Sequence, residues 1–218
     1  INLASPDRTL RARSEVSFTA ELERCRAFGL EAVVTHPGNA TDGDRRGGLA
    51  RNADAIGAAI ERTGYEGRVL LELTAGSGMA LGSSFEELAE LIDAVPSNLR
   101  PRIGVCIDTC HLWASAYDVR DDYDGVMAQL CDTIGLDRVG MFHLNDSGKG
   151  FGSRVDRHAP IGDGALGLEP FRRLLNDDRF LRVPKVIETP KGEDVVRSDR
   201  RNLRRLRALR QMPHSAAS

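Results

Sequence analysis

The chain has 218 residues, 41% apolar and 28% charged. That is the composition of one ordinary globular core, and it is too short for several domains of about 150 residues each. Lysine plus arginine number 30 against 32 aspartate plus glutamate, a formal net charge of -2, which excludes attraction to nucleic acid or an acidic membrane by gross positive charge.

No run approaches the roughly 18 apolar residues of a membrane span. No N-terminal signal pattern is visible either, so a cytoplasmic protein is expected. The four cysteines, Cys25, Cys106, Cys110 and Cys131, lack the density of a secreted disulfide scaffold and fit reduced thiols. The sequence opens at Ile1 rather than methionine, which leaves room for an upstream segment.

In chain order, residues 14–28 place Phe18, Leu22 and Cys25 on one helical face, stopped by Gly29. Residues 32–35 are short and apolar, as a strand buried on both faces should be. A second helix carries Leu49, Ala53, Ile56 and Ile60 and stops near Gly64, before a strand over residues 69–73. Ser84 and Glu87 form the capping-box pattern of a helix with Leu88, Leu91, Ile92 and Val95, followed by a strand over 103–107. Met127, Leu130 and Ile134 mark a helix ending at Gly135, and residues 139–144 a strand. A polar, glycine-rich stretch over 145–167 precedes a short helix near 171–175 and a strand over 184–187. A last helix, about 193–211, is expected to bury Leu203 and Leu206. Strands alternating with helices on short connections predict an α/β fold with parallel strands and right-handed crossovers. One domain over residues 1–212 is expected, with a loose tail over 213–218.

Each predicted strand ends on a metal-binding type of residue: His36, Glu72, Asp108, His143 and Glu188, at spacings of 36, 36, 35 and 45 residues. In a parallel barrel all strand C-termini open on one face, so these side chains would converge. Imidazoles mixed with carboxylates suit zinc or manganese better than magnesium. His111 leaves the same strand end as Asp108, and Asp156 and His158, two apart in extended backbone, would project together as a chelate. Any one of these residues alone is more simply a cap or a satisfied core group. Together they are harder to dismiss, since four of the five histidines fall in the pattern and only His214 lies outside it.

Cys106 and Cys110 flank Asp108 and could serve zinc as thiolates, but small apolar filler is the simpler reading. The seven arginines between Arg197 and Arg210 read as a solvated helix face. The loop Ala75-Gly76-Ser77-Gly78 lacks a phosphate-loop lysine and reads as a tight turn below the site.

The segments L-E-L-T-A-G-S-G around Glu72, G-V-C-I-D-T-C-H ending at His111, M-F-H-L-N-D ending at Asp146, F-G-S-R-V-D-R-H ending at His158 and V-I-E-T around Glu188 resemble the endonuclease IV family, zinc-dependent apurinic/apyrimidinic endonucleases. The match covers the chain from Ile1 to roughly Met212. The resemblance implies a TIM (β/α)8 barrel of the xylose isomerase-like type with three zinc ions per complete protein, manganese being an option at one of them. Glu72 would bridge two ions, one also held by His36 and the other by Asp108, His143 and Glu188. The third would take His111, Asp156 and His158. Glu72 and Glu188 would be the catalytic carboxylates, and three dications would leave the pocket positive despite four carboxylates. The implied reaction on abasic-site duplex DNA is hydrolysis 5′ to the lesion by a monomer, leaving a 3′-hydroxyl and a 5′-deoxyribose phosphate. Lys149, Arg154 and Arg157 are candidates for contacting the DNA backbone.

Family members carry about three further strands and another histidine ligand upstream, so the eight-stranded barrel is expected to lack its first strands here and to expose an edge at the strand leading to His36. Two other readings remain at this stage. A two-metal sugar isomerase or epimerase on a related barrel leaves His111, Asp156 and His158 unexplained. An inactive DNA-binding fragment would bind without nicking.

Overall fold

The computed structural model describes residues 1–210; the expected tail, including His214, lies outside them. These residues form seven α-helices and seven strands. Helix α1 spans Arg8–Ala27, α2 Arg45–Thr63, α3 Phe85–Ala94, α4 Thr109–Ala114, α5 Tyr123–Thr133, α6 Glu169–Leu175 and α7 Val195–Leu209. The main sheet takes β1 (Ala32–Thr35), β2 (Arg68–Glu72), β3 (Ile103–Asp108), β4 (Val139–His143) and β7 (Lys185–Val186), all parallel and in the order β1-β2-β3-β4-β7. Sequential order without reversal means that every crossover turns the same way, as in a barrel and unlike a doubly wound sheet. The sheet is thus an arc of five strands where a closed barrel of this type has eight. Among the described residues no helix is long and apolar enough to cross a membrane.

The helices form because local signals and apolar period agree. Asp7 caps α1 by accepting from Thr9 and Leu10 N–H, so the helix starts earlier than its apolar face shows. Gly64, at φ +60°, closes α2 in the left-handed region that glycine enters freely. Ser84 accepts from Glu87 N–H at 3.2 Å, one half of the expected capping box. Glu87 itself turns back to the Gly82 and Ser83 N–H groups and pairs with Arg45, tying α2 to α3.

Phe18, Leu22, Ile56, Ile60, Leu88, Leu91, Leu130, Phe142, Phe171 and Phe180 form one core between helices and sheet. β3, at the centre, is buried at every position, whereas all four residues of edge strand β1 are half-buried and Val186 on the opposite edge is 40% exposed. An open arc leaves its two outer strands without a neighbour, as expected at the His36 strand. One expectation fails: Leu203 is 38% exposed, and α7 buries Asn202 and Leu206 instead. Asn202 accepts from Ile161 N–H and donates to Thr189 Oγ1, so a satisfied amide takes the place on the core face that the pattern assigned to leucine.

Candidate metal centre

The strand ends converge as parallel geometry requires. Glu72 closes β2, Asp108 closes β3 and His143 closes β4. His36 follows β1 directly, and Glu188 lies two residues beyond β7. Glu72 stands between two groups: its Oε2 lies 3.2 Å from His36 Nε2 and its Oε1 2.9 Å from His143 Nδ1. His143 Nδ1 is also 3.3 Å from Glu188 Oε2 and 3.9 Å from Asp108 Oδ2. The potential ligand atoms of Glu72, Asp108, His143 and Glu188 all lie within 4.8 Å of one another, and so do those of His36, Glu72 and His111.

His111 arrives by a route the periodicity missed. Asp108 ends β3 and at once caps α4, its Oδ1 accepting from Cys110 N–H at 2.7 Å and His111 N–H at 3.1 Å. Six residues are too few for an apolar period, but an aspartate just ahead of T-C-H is a cap signal that could have revealed the helix. His111 then faces Asp156, Nε2 to Oδ2 3.3 Å, and Asp156 Oδ1 faces His158 Nε2 at 3.3 Å. His158 Nε2 also lies 3.5 Å from Asp108 Oδ2. All eight candidate ligands are therefore joined in one chain of close contacts.

A further contributor, absent from the sequence-level site, is Asp146. Fully buried, it accepts from the N–H groups of Ser147, Gly162, Gly164 and Leu166 and so gathers both ends of the long loop that carries Asp156 and His158. Within this loop β5 (Asp146–Ser147) pairs antiparallel with β6 (His158–Ala159). Two-residue strands are invisible to a period-2 search.

The tautomers are set from behind. His111 Nδ1 lies 2.7 Å from the Leu73 carbonyl and His158 Nδ1 3.1 Å from that of Glu188. Each Nδ1–H is thus donated to backbone, and each Nε2 is buried with no hydrogen-bond partner. Buried bare nitrogens are costly in a protein interior, and an imidazole held by Nδ1–H to a carbonyl with Nε2 free is the usual posture of a metal ligand. Two such nitrogens facing carboxylate oxygens fit a divalent cation.

The charges agree. Burial works against ionised Glu72, yet His143 and His36 hold its carboxyl down at about 2. Burial pushes Asp108 up, with the charges of His111 and His158 opposing it. For His111 burial lowers the pKa, but Asp108, Asp156 and Glu72 carry it to about 9. Burial opposes protonation of His143 too, and contacts with Cys106, Glu188 and Glu72 override it. Such a cluster of acids and imidazoles attracts positive charge. Cys106 and Cys110 are pushed up to about 12 by burial, as small protonated filler would be, although Cys110 sits beside Asp156 and His158.

His36, Asp156 and Glu188 are half-exposed, so the pocket is open on one side. There a cavity of about 210 Å³ is lined by His36, Asn39, Thr74, Gly76, Ser77 and Asp156, among others. The glycine turn therefore lies on the rim of the site, and not below it. Lys149, Arg154 and Arg157 have exposed side chains on pinned backbone: the Lys149 carbonyl accepts from Trp113 Nε1, Arg154 N–H bonds Ala114 and the Arg157 carbonyl accepts from Gly148. Arg201 and Arg205 both pair with Asp163, which accounts for part of the arginine row on α7.

Five sequential parallel strands with acids and imidazoles at their C-terminal ends define a barrel-type sheet whose strand ends could hold a metal, and residues 1–206 match the family described as xylose isomerase-like TIM barrel. The chain is 52% identical over 212 residues to "Probable endonuclease 4" of Chloroflexus aggregans, covering 96% of this chain and 73% of that one. The crystal structure of endonuclease IV from Thermus thermophilus superposes with a TM-score of 0.83 at 36% identity, covering 96% of this chain and 72% of that one. On these likenesses the chain belongs to the endonuclease IV family. A D-tagatose 3-epimerase-like protein, at 20% identity and a TM-score of 0.67 over 96% of this chain and 74% of that one, shares the fold alone.

Proposed function

We propose that this chain is a DNA-repair hydrolase that cuts the phosphodiester 5′ to abasic sites in duplex DNA, using three zinc ions and leaving a 3′-hydroxyl and a 5′-deoxyribose phosphate. The observation that carries the reading is the pair of bare, buried Nε2 atoms of His111 and His158 facing Asp156. The reading as a two-metal sugar isomerase leaves that third group unexplained.

Glu72 would serve both the ion beside His36 and the one held by Asp108, His143 and Glu188, and His111, Asp156 and His158 would hold the third. Mixed imidazole and carboxylate donors suit zinc. When bound, such ions supply a water that is acidic near neutral pH and positive charge against the phosphoryl and leaving oxygens. The chain's own part is placement. Asp108 fixes His111 through the α4 cap, the half-exposed faces of His36, Asp156 and Glu188 meet the substrate, and Lys149, Arg154 and Arg157 hold the flanking phosphates. The rim cavity receives the extruded lesion, which leaves the stack at low cost because it has no base to unstack. The protein acts as a monomer, and its four free thiols suit a reducing cytoplasm.

The test is a duplex carrying one abasic site, incubated with protein that has been stripped of metal and reloaded with zinc. A single nick 5′ to the lesion with a 3′-hydroxyl end is expected. Binding without nicking, or turnover of a ketose in its place, would overturn the reading.

A further inference from the structure

His143 is followed by Leu144 and Asn145, and Asn145 is completely buried. A buried amide is unfavourable unless its donors and acceptor are met, and here both ends of the carboxamide are used, one at the end of β3 and one just beyond β7. Nδ2 donates to Asp108 Oδ2 at 2.6 Å, and Oδ1 accepts from Glu188 N–H at 2.8 Å. The backbone of Asn145 is locked in turn by Thr109, whose hydroxyl accepts from Asn145 N–H at 2.9 Å and donates to its carbonyl at 2.7 Å. One residue thereby ties together the ends of β3, β4 and β7.

Each tie falls on a ligand that would otherwise be loosely held. β7 has only two paired residues, Lys185 and Val186, and after Leu144 N–H reaches the Val186 carbonyl at 2.7 Å the ladder continues only through the Asn145 side chain to Glu188. Asp108 gives Oδ1 to the α4 cap, so its remaining freedom is the setting of Oδ2, the oxygen that faces His143 Nδ1 and His158 Nε2. The Asn145 amide fixes that setting.

We propose that Asn145 is a positioning residue of the metal centre: its carboxamide holds the Asp108 carboxylate and the Glu188 backbone in the relation that their shared metal position requires. The inference rests on the reading that these residues hold a metal. Outer partners of metal ligands act in this way in general, and losing one weakens metal binding about 10–100-fold.

The experiment compares the wild type with Asn145→Ala and Asn145→Leu, the second keeping the volume filled. Tyr123→Phe serves as control, since it removes a hydrogen bond to Asp177 in a part of the fold that carries no ligand. Zinc affinity is measured by competition with a chelator of known strength, and the ligand field by the visible spectrum of the cobalt(II)-substituted protein. In both Asn145 variants one ion should bind about 10–100-fold more weakly with altered cobalt bands, while Tyr123→Phe lowers the melting temperature and leaves both readouts unchanged. Wild-type affinity and spectrum in either variant would overturn the proposal. So would failure of both to fold in excess zinc, because Asn145 would then be a folding residue. A wild type that binds neither zinc nor cobalt would overturn the metal reading itself, and this inference with it.

Discussion

The imidazole of His111 donates its Nδ1–H to the carbonyl of Leu73 at 2.7 Å, one residue past the ligand candidate Glu72, so the strand end that offers one donor also orients the next. The same device recurs between His158 and the Glu188 carbonyl. His143 is turned the other way, with Nδ1 towards Glu72 and Glu188. The zinc-loaded protein should therefore show His111 and His158 bound through Nε2 and His143 through Nδ1. Long-range ¹⁵N–¹H spectra of the ring nitrogens distinguish the two, and a uniform pattern across the three would contradict the geometry.

Glu72→Gln should reduce nicking of an abasic duplex by far more than it weakens binding to it. A neutral amide has one acceptor oxygen where Glu72 offers two, towards His36 and His143, and loss of a shared ligand should exceed the 10–100-fold typical of an outer partner. His214→Ala should leave both unchanged. Steady-state nicking and equilibrium binding on the same duplex check this, and equal behaviour of the two variants would show that the strand ends are wrongly assigned.

The pH response separates metal from proton. Folded His111 titrates at about 9 against an ordinary 6.5, so its protonation stabilises the chelator-treated protein fully below 6.5, and that contribution is lost as pH rises through about 9. Zinc needs the imidazoles neutral, so its contribution grows over the same interval. The gap in melting temperature between zinc-loaded and chelator-treated protein should widen from pH 6.5 to 9. Parallel melting curves across that range would count against a metal at His111.

Much of this site is legible in the sequence, because a buried parallel strand is a short apolar run and the polar residue that ends it stands out: His36, Glu72, Asp108, His143 and Glu188 are each visible in that way. What stays hidden has no period. Helix α4 is too short and the β5–β6 ladder too brief. Asn202 occupies a core position as a polar residue, and the start of α1 is set by the Asp7 cap ahead of any apolar stripe. Asn145 and Asp146 carry no periodic signal of their own, since most of their partners lie 16 to 43 residues away.

Asp146→Ala should loosen the loop that carries Asp156 and His158. Hydrogen bonds to a charged acceptor contribute about 1.5–3 kcal/mol each, and four are lost at once, though their effects do not add fully. Gly164→Ala should act in the same direction, because an added Cβ would lie 2.4 Å from both Asp146 Oδ1 and the Ser147 carbonyl. Limited proteolysis should become faster within residues 147–166 in both variants, and unchanged cleavage would show that the loop is held by other contacts.

Alanine at Lys149, Arg154 or Arg157 should weaken binding to abasic and intact duplexes alike. Each substitution should also lower the slope of log affinity against log salt by about 1. An unchanged slope would remove that residue from the DNA surface.

Anomalous diffraction at the zinc edge, from crystals of the zinc-loaded protein, counts and locates the ions that the eight side chains are proposed to hold. Three peaks are expected: one among Glu72, Asp108, His143 and Glu188, one among His111, Asp156 and His158, and a weaker one between His36 and Glu72, where family members add an upstream histidine. A single peak, or none within this pocket, would contradict the account.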